Sequence, residues 1–179
     1  MLRIICAQPF HARGSTSTHQ VVTISALAES SRITPFLWFD SNAEEAVTFY
    51  LSVFPNSRRI GELRNTGDAP GPKGGVLTVS FELDGLRFTA LNGGPHHQFT
   101  DAISFVVRCD TQEQIDYYWS RLTEGGTEVA CGWLRDRFGV TWQITPSNIG
   151  ELLKTSKAMQ AMMKMKKLDI AELERAGQS

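Results

Sequence analysis

Cys131-Gly132-Trp133-Leu134-Arg135-Asp136-Arg137-Phe138-Gly139-Val140-Thr141-Trp142-Gln143-Ile144-Thr145-Pro146 holds two short extended runs that meet at a tight turn on Gly139. The second run alternates its side chains until Pro146, which has no amide to donate, and the whole reads as a hairpin. Phe81-Glu82-Leu83-Asp84-Gly85-Leu86-Arg87-Phe88-Thr89-Ala90-Leu91 has the same plan, with Asp84-Gly85 as the turn dipeptide. Gly85 then matches Gly139, Phe88 matches Trp142, and Thr89 matches Gln143.

The likeness extends upstream. Ile33-Thr34-Pro35-Phe36-Leu37-Trp38-Phe39-Asp40 precedes an amphipathic helix, and so does Ala102-Ile103-Ser104-Phe105-Val106-Val107-Arg108-Cys109-Asp110. One strand-helix-strands unit is therefore used twice. In the first, Ser41-Asn42-Ala43-Glu44 has capping-box form, and Ala43, Ala46, Val47, Tyr50 and Phe54 recur at helical spacing until Pro55-Asn56. In the second, Thr111-Gln112-Glu113-Gln114 repeats the capping arrangement, Ile115, Tyr118, Trp119 and Leu122 make the buried stripe, and Gly125-Gly126 stops the helix. Ser57 to Arg64 and Val76 to Leu83 read as strands. Residues 65–75, rich in Gly and Pro, read as a loop that either lies over a binding site or is mobile.

The chain has 179 residues, 41% of them hydrophobic, enough for one sizeable core or two fused small ones. A net charge of −1, without a cluster of Lys and Arg among aromatics, argues against nucleic acid as a partner. No apolar run approaches the roughly 20 residues that span a bilayer, so no membrane role is expected. Cys6, Cys109 and Cys131 lack metal-type spacing and are expected as reduced thiols in the cytoplasm. Residues 1–32, with Arg3, Arg13 and a weak apolar patch at Val21-Val22-Thr23-Ile24, are expected to form a flexible extension, a processed leader being the alternative. After Pro146 comes a helical tail, in which Met159, Met162 and Met163 share one face, Lys164, Lys166 and Lys167 fall largely on another, and Asp169 caps a helix from Ile170 to Arg175.

Pro35 to Asp40, Asn42 to Tyr50, Ala90-Leu91-Asn92-Gly93-Gly94-Pro95, Ala102 to Phe105 and the Cys131–Pro146 run resemble the PhnB-like branch of the vicinal oxygen chelate superfamily, the group of the glyoxalases and bleomycin resistance proteins. That branch is often labelled demethylubiquinone 3-methyltransferase-like. The resemblance covers about residues 33–175. It implies an α+β fold of two βαβββ modules forming an open, cup-shaped mixed sheet, a C-terminal helical tail, and a homodimer. Residues 33–146 would form the paired domain, with modules 33–95 and 102–146, and residues 147–179 the tail.

In metal-dependent members of the superfamily a His or similar ligand on the first strand of each module and a Glu on the last hold a divalent ion. Those places fall near Pro35, Thr89, Ile103 and Gln143. Pro and Ile carry no donor atom, a Thr hydroxyl is a poor ligand, and a Gln amide alone cannot replace imidazoles and carboxylates. No metal and no cofactor are expected, and His96-His97 reads as an exposed loop. A methyl-donor site of Rossmann type needs a Gly-rich turn that opens a helix, whereas Asn92-Gly93-Gly94-Pro95 leads into a linker and another strand.

Cys131 beside Arg135 and Arg137 is a candidate nucleophile without an assignable base, to be weighed against a small buried hydrophobe. Asp136 between two arginines reads as a turn ion pair. If the metal-type positions point inward, period two sends Leu37, Phe39, Thr89, Leu91, Phe105, Val107, Gln143 and Thr145 into the cup and packs Trp38, Phe88 and Trp142 beneath the helices. The candidate ligand-binding set is Leu37, Phe39, Thr89, Leu91, Asn92, Phe105, Trp133 and Gln143, with Asn92 and Trp133 at the rim. This is a mostly apolar site for a small organic molecule, and a collapsed, filled cup is the alternative. The expected function is metal-free binding of such a molecule in the cup between the modules. A lyase or transferase using the same cup, and an interaction module working through the Met-rich tail, stay open, as does whether any reaction is catalysed.

Overall fold

The computed structural model describes residues 32–178. The first module runs β1 (Phe36–Phe39), α1 (Ala43–Val53), β2 (Ser57–Arg64), β3 (Val76–Leu83) and β4 (Leu86–Asn92). The second runs β5 (Phe105–Cys109), α2 (Gln112–Thr123), β6 (Thr127–Glu128), β7 (Trp133–Arg135) and β8 (Thr141–Pro146). Each makes a four-stranded mixed sheet, in the orders β1-β4-β3-β2 and β5-β8-β7-β6. The first strand of each lies parallel to the last, because the helix between them carries the chain across, and the remaining pairs are antiparallel. This is the βαβββ plan, used twice.

The turn chemistry matches the sequence reading. Asp84 and Gly85 both take left-handed backbone, φ 46° and 83°, as a two-residue turn of the twisted hairpin needs. Gly139 turns the second hairpin at φ 89°. Thr111 caps α2 by accepting the Gln114 amide, while the Gln114 side chain accepts the Asp110 amide in return. The first capping box does not form. Asn42 is the N-cap of α1 and makes no side-chain cap, and the Ala43 amide goes instead to Oδ1 of Asn92 on β4 at 2.9 Å.

The helix-covered sides of both sheets share one core. Leu37, Phe39, Phe81, Phe88 and Ala90 of the first sheet and Trp142 and Ile144 of the second are buried with Tyr50, Val53 and Phe54 of the first module and Ile115, Trp119 and Leu122 of α2. Tyr50 contacts rings of both sheets, Phe81 at 6.3 Å and Trp142 at 5.6 Å between centroids. Stacked and tilted ring packing of this kind adds roughly 0.5–1.5 kcal/mol per pair beyond burial.

The facing of β1 and β5 corrects the expectation. Phe36 pairs with Thr89 and Leu37 with Ala90, so Leu37 and Phe39 lie on the helix side while Phe36, Trp38, Thr89 and Leu91 share the open side. In the second sheet Phe105 pairs with Trp142 and Val107 with Ile144, both on the helix side, and Val106 accompanies Gln143 on the open side. Trp38 is thus not beneath a helix, and Leu37, Phe39, Phe105 and Val107 do not face the same way as Thr89 and Gln143. Counting from Pro35 and Ile103 put each first strand one residue out of step, and with a period of two this turns every side chain over. Phe88 and Trp142 do pack beneath the helices, each 3% exposed.

The tail forms α3 (Ile149–Leu152), α4 (Ser156–Met162) and α5 (Ile170–Gln178). Asp169 accepts the Glu172 amide, capping α5. Between α4 and α5 the chain docks on the second module: the amides of Cys131 and Gly132 donate to the carbonyls of Met165 and Lys166 at 2.8 and 2.7 Å. Leu168 is buried against Gly132, where an added Cβ would come within 3.1 Å of its side chain. Met159 and Met163 stay exposed.

Candidate functional site

The open side of the first sheet is built in cross-strand rows. Leu63, Thr78, Leu91 and Trp38 form one, and Gly61, Ser80, Thr89 and Phe36 the next. On the second sheet Val106, Gln143 and Trp133 make a row. Phe36, Leu63 and Val106 are 58%, 57% and 52% exposed, high values for apolar strand residues. The polar groups in these rows are the hydroxyls of Thr78, Ser80 and Thr89 and the Gln143 amide, whose Nε2 donates to Ser104 Oγ at 2.8 Å. The structure therefore brings Thr89 and Leu91 together on one open face and Gln143 and Trp133 on the other.

The remaining predicted site residues lie elsewhere. Leu37, Phe39 and Phe105 turn to the helices. Asn92 is a structural joint, accepting from Ala43 with Oδ1 and donating with Nδ2 to the Val76 carbonyl at 2.9 Å, which ties the start of α1 to β3 and β4.

The donors at the metal-type positions do not fit a divalent ion. The residues that register brings onto the open faces there are Phe36, Thr89, Val106 and Gln143, which offer one hydroxyl and one amide. Among the described residues no three His, Cys, Asp or Glu side chains gather as a metal set. The Gly-rich turn after β4 serves packing. Gly93 and Gly94 donate their amides to the carbonyls of Phe39 and Asp40, a Cβ on Gly93 would fall 2.3 Å from the Trp38 ring, and Trp38 Nε1 donates to the Gly94 carbonyl. His97 meets Trp38 edge-on at 4.7 Å.

Asp136 is not a turn ion pair. It is 3% exposed, and its carboxylate accepts from Tyr50, Trp142 and the amides of Phe138 and Val140. The neighbouring guanidinium groups go outward, Arg135 to Asp101 at 2.6 Å and Arg137 to Glu124 at 3.4 Å. Burial pushes the Asp136 carboxyl above its usual range, outweighing the four hydrogen bonds that pull the other way. Cys131 sits outside the strands at φ 61°, its Sγ 3.6 Å from Met163 Sδ. Cys109 is the buried thiol, pushed up to about 11 by desolvation and then by Asp110. Cys6 and the Val21–Ile24 patch lie outside the described residues.

Sequence reasoning missed two features. Asn65, 4% exposed, organises the 65–75 loop: Nδ2 donates to the carbonyls of Ala69, Pro70 and Gly71, and Oδ1 accepts the Gly67 and Ala69 amides. An Asn opening a Gly- and Pro-rich stretch was the available signal. The second is an aromatic cavity between the modules, assembled from residues far apart in the chain.

Paired βαβββ modules with open sheet faces define a member of the vicinal oxygen chelate superfamily. Residues 31–145 match the family described as 3-demethylubiquinone-9 3-methyltransferase, and the chain belongs to that PhnB-like family. It is 35% identical to the PhnB protein from Bacillus cereus, covering 64% of this chain and 98% of that one, with a TM-score of 0.58. A protein from Pseudomonas aeruginosa shares 22% identity over 64% of this chain and 96% of its own, with a TM-score of 0.53. The fosfomycin resistance protein FosX from Listeria monocytogenes shares the fold at 15% identity, over 71% of this chain and 99% of its own, with a TM-score of 0.52. No curated protein matches the chain. No helix among the described residues is long and apolar enough to cross a membrane.

Proposed function

We propose that the chain binds a small organic molecule on the open faces of its sheets, without a divalent ion, in a cup completed by a second copy. The observation that carries this reading is the register that sets Thr89 and Leu91, and likewise Gln143 and Trp133, on faces otherwise lined by exposed Phe36, Leu63 and Val106. Apolar walls with a few hydrogen-bonding groups suit a small, flat or hydrophobic ligand. Covering such walls stabilises by roughly 25 cal/mol per Å² removed from water, which favours both a ligand and a homodimer.

The relatives sharpen the contrast. A mutant of FosX from Listeria monocytogenes has been solved with Mn(II) and 1S,2S-dihydroxypropylphosphonic acid. In this chain the metal-type positions offer a hydroxyl and an amide, so recognition rests on hydrogen bonds and apolar contact. Native mass spectrometry of the purified protein, with metal analysis of the same sample, tests the reading. A co-purified organic molecule on a dimer, lost in Leu91→Glu, is the expected result. A stoichiometric divalent ion retained through gel filtration would overturn it.

A further inference from the structure

The open side of the second sheet carries a charged group that the fold itself leaves unengaged. Arg108 on β5 pairs with Thr145 on β8, two residues along from the pair of Val106 and Gln143, so the alternation of strand side chains places all four on that side. The other strand arginines have carboxylate partners: Arg58 and Arg87 meet Glu82, Arg59 and Arg64 meet Glu62, and Arg135 meets Asp101. Arg108 is exposed and forms no ion pair or side-chain hydrogen bond among the described residues.

Thr145 beside it is a second polar group without a partner. It is 9% exposed, yet its hydroxyl makes no hydrogen bond among the described residues. Covered hydroxyls are normally hydrogen-bonded, so the pair offers an incoming oxygen acceptor a guanidinium and a hydroxyl side by side. The carboxylate of Asp101, which reaches this side of the sheet, is already taken by Arg135 at 2.6 Å and by the Thr141 hydroxyl at 2.8 Å. The adjacent row supplies apolar contact through Val106 and Trp133. A free guanidinium takes a carboxylate through two parallel hydrogen bonds.

We infer that the molecule bound on the open face of the second sheet is an organic acid, its carboxylate held by Arg108 and the Thr145 hydroxyl and its apolar body lying over Val106, Gln143 and Trp133. This rests on the open-face reading proposed above and adds the charge of the ligand to it.

Isothermal titration of the full chain with trans-cinnamate, and with the neutral trans-cinnamamide of the same shape, tests the inference at low ionic strength, where an exposed charge is least screened. The acid is expected to bind about tenfold or more tighter than the amide. Arg108→Gln, made on an exposed side chain, should bring the acid down to the level of the amide, and Val106→Asn, which removes apolar contact without adding charge, should weaken both probes. Equal binding of acid and amide, or a preference for the acid that survives in Arg108→Gln, would overturn the inference, and weakening of both probes by Val106→Asn would then leave the open-face reading standing. Binding of both probes at wild-type strength in Val106→Asn would overturn the inference and the open-face reading together, and no binding of the acid would overturn the inference.

Discussion

The phenol of Tyr50 on α1 donates to Oδ2 of Asp136 at 2.9 Å, joining the two modules across 86 residues of chain. The same oxygen accepts Trp142 Nε1 at 2.9 Å, and Oδ1 accepts the amides of Phe138 and Val140 at 2.9 and 3.0 Å. One carboxylate thus fixes the hairpin turn, a core tryptophan and the helix of the other module.

Asp136→Ala leaves four donors without their acceptor in a dry site and is expected to cost about 3–5 kcal/mol. Tyr50→Phe removes one donor and leaves the carboxylate three, so about 1 kcal/mol is expected. Urea denaturation of the two variants checks the ranking. Equal losses would mean that the amide and indole bonds carry no weight.

The same carboxyl predicts a pH dependence. Its folded pKa is raised, chiefly by burial, above the unfolded value of about 3.9. The fold therefore holds its proton more tightly, and its contribution is full below about pH 3.9 and is lost as pH rises through the folded value. Tyr50 stays protonated throughout, since burial and then Asp136 raise its phenol well above 10.0. The stability of wild type minus that of Asp136→Asn should be larger near about pH 3.5 than near about pH 7, because the shared surface carboxylates cancel in the difference. A difference that does not change between the two denaturation series would rule this out.

Gly93 and Trp38 give a packing test. An alanine Cβ at Gly93 would lie 2.3 Å from Trp38 Cε2, and the indole is held by its bond to the Gly94 carbonyl. Gly93→Ala is expected to cost about 1–3 kcal/mol. Adding Trp38→Phe, which leaves a smaller ring, should recover part of the loss, and strict additivity of the two changes in thermal denaturation would refute the contact.

Much of the architecture is local, and to that extent it was legible in the sequence. Asp84-Gly85 and Gly139 announce the hairpins, Thr111 with Gln114 announces α2, and the repeat announces the second module. Facing was not legible, because β1 and β5 are only four and five residues long and nothing in their composition distinguishes Leu37 from Trp38 as the buried side. Ser41 had the form of a cap, but the Ala43 amide is taken by Asn92, 49 positions away. Asp136 between two arginines looked like a surface pair for the same reason, since its partners Tyr50 and Trp142 are set by packing of one module on the other.

The two described cysteines should separate by reactivity. Desolvation pushes the Cys109 thiol up to about 11, which leaves almost no thiolate near neutrality, and the side chain is 1% exposed. Cys131 is half-buried in a turn. Iodoacetamide at about pH 8, read by peptide mass mapping, should label Cys131 in the folded protein and Cys109 only after denaturation. Labelling of Cys109 at the rate of Cys131 would show that the β5 end opens readily.

The register itself can be tested by building what the chain lacks. Val106 and Gln143 are paired on neighbouring parallel strands and share the open side, whereas Val107 pairs with Ile144 on the helix side. Val106→His with Gln143→Glu therefore places an imidazole and a carboxylate side by side, a partial set of the kind that nickel and zinc accept. Added Ni²⁺ should raise the thermal midpoint of this variant, since an ion that binds only the folded state stabilises it by mass action. Val107→His with Gln143→Glu carries the same two groups on opposite faces and should show no such rise. A rise in the second variant and none in the first would mean that Phe105 and Val107, rather than Val106, share a face with Gln143, and the open-face site would have to be redrawn around them.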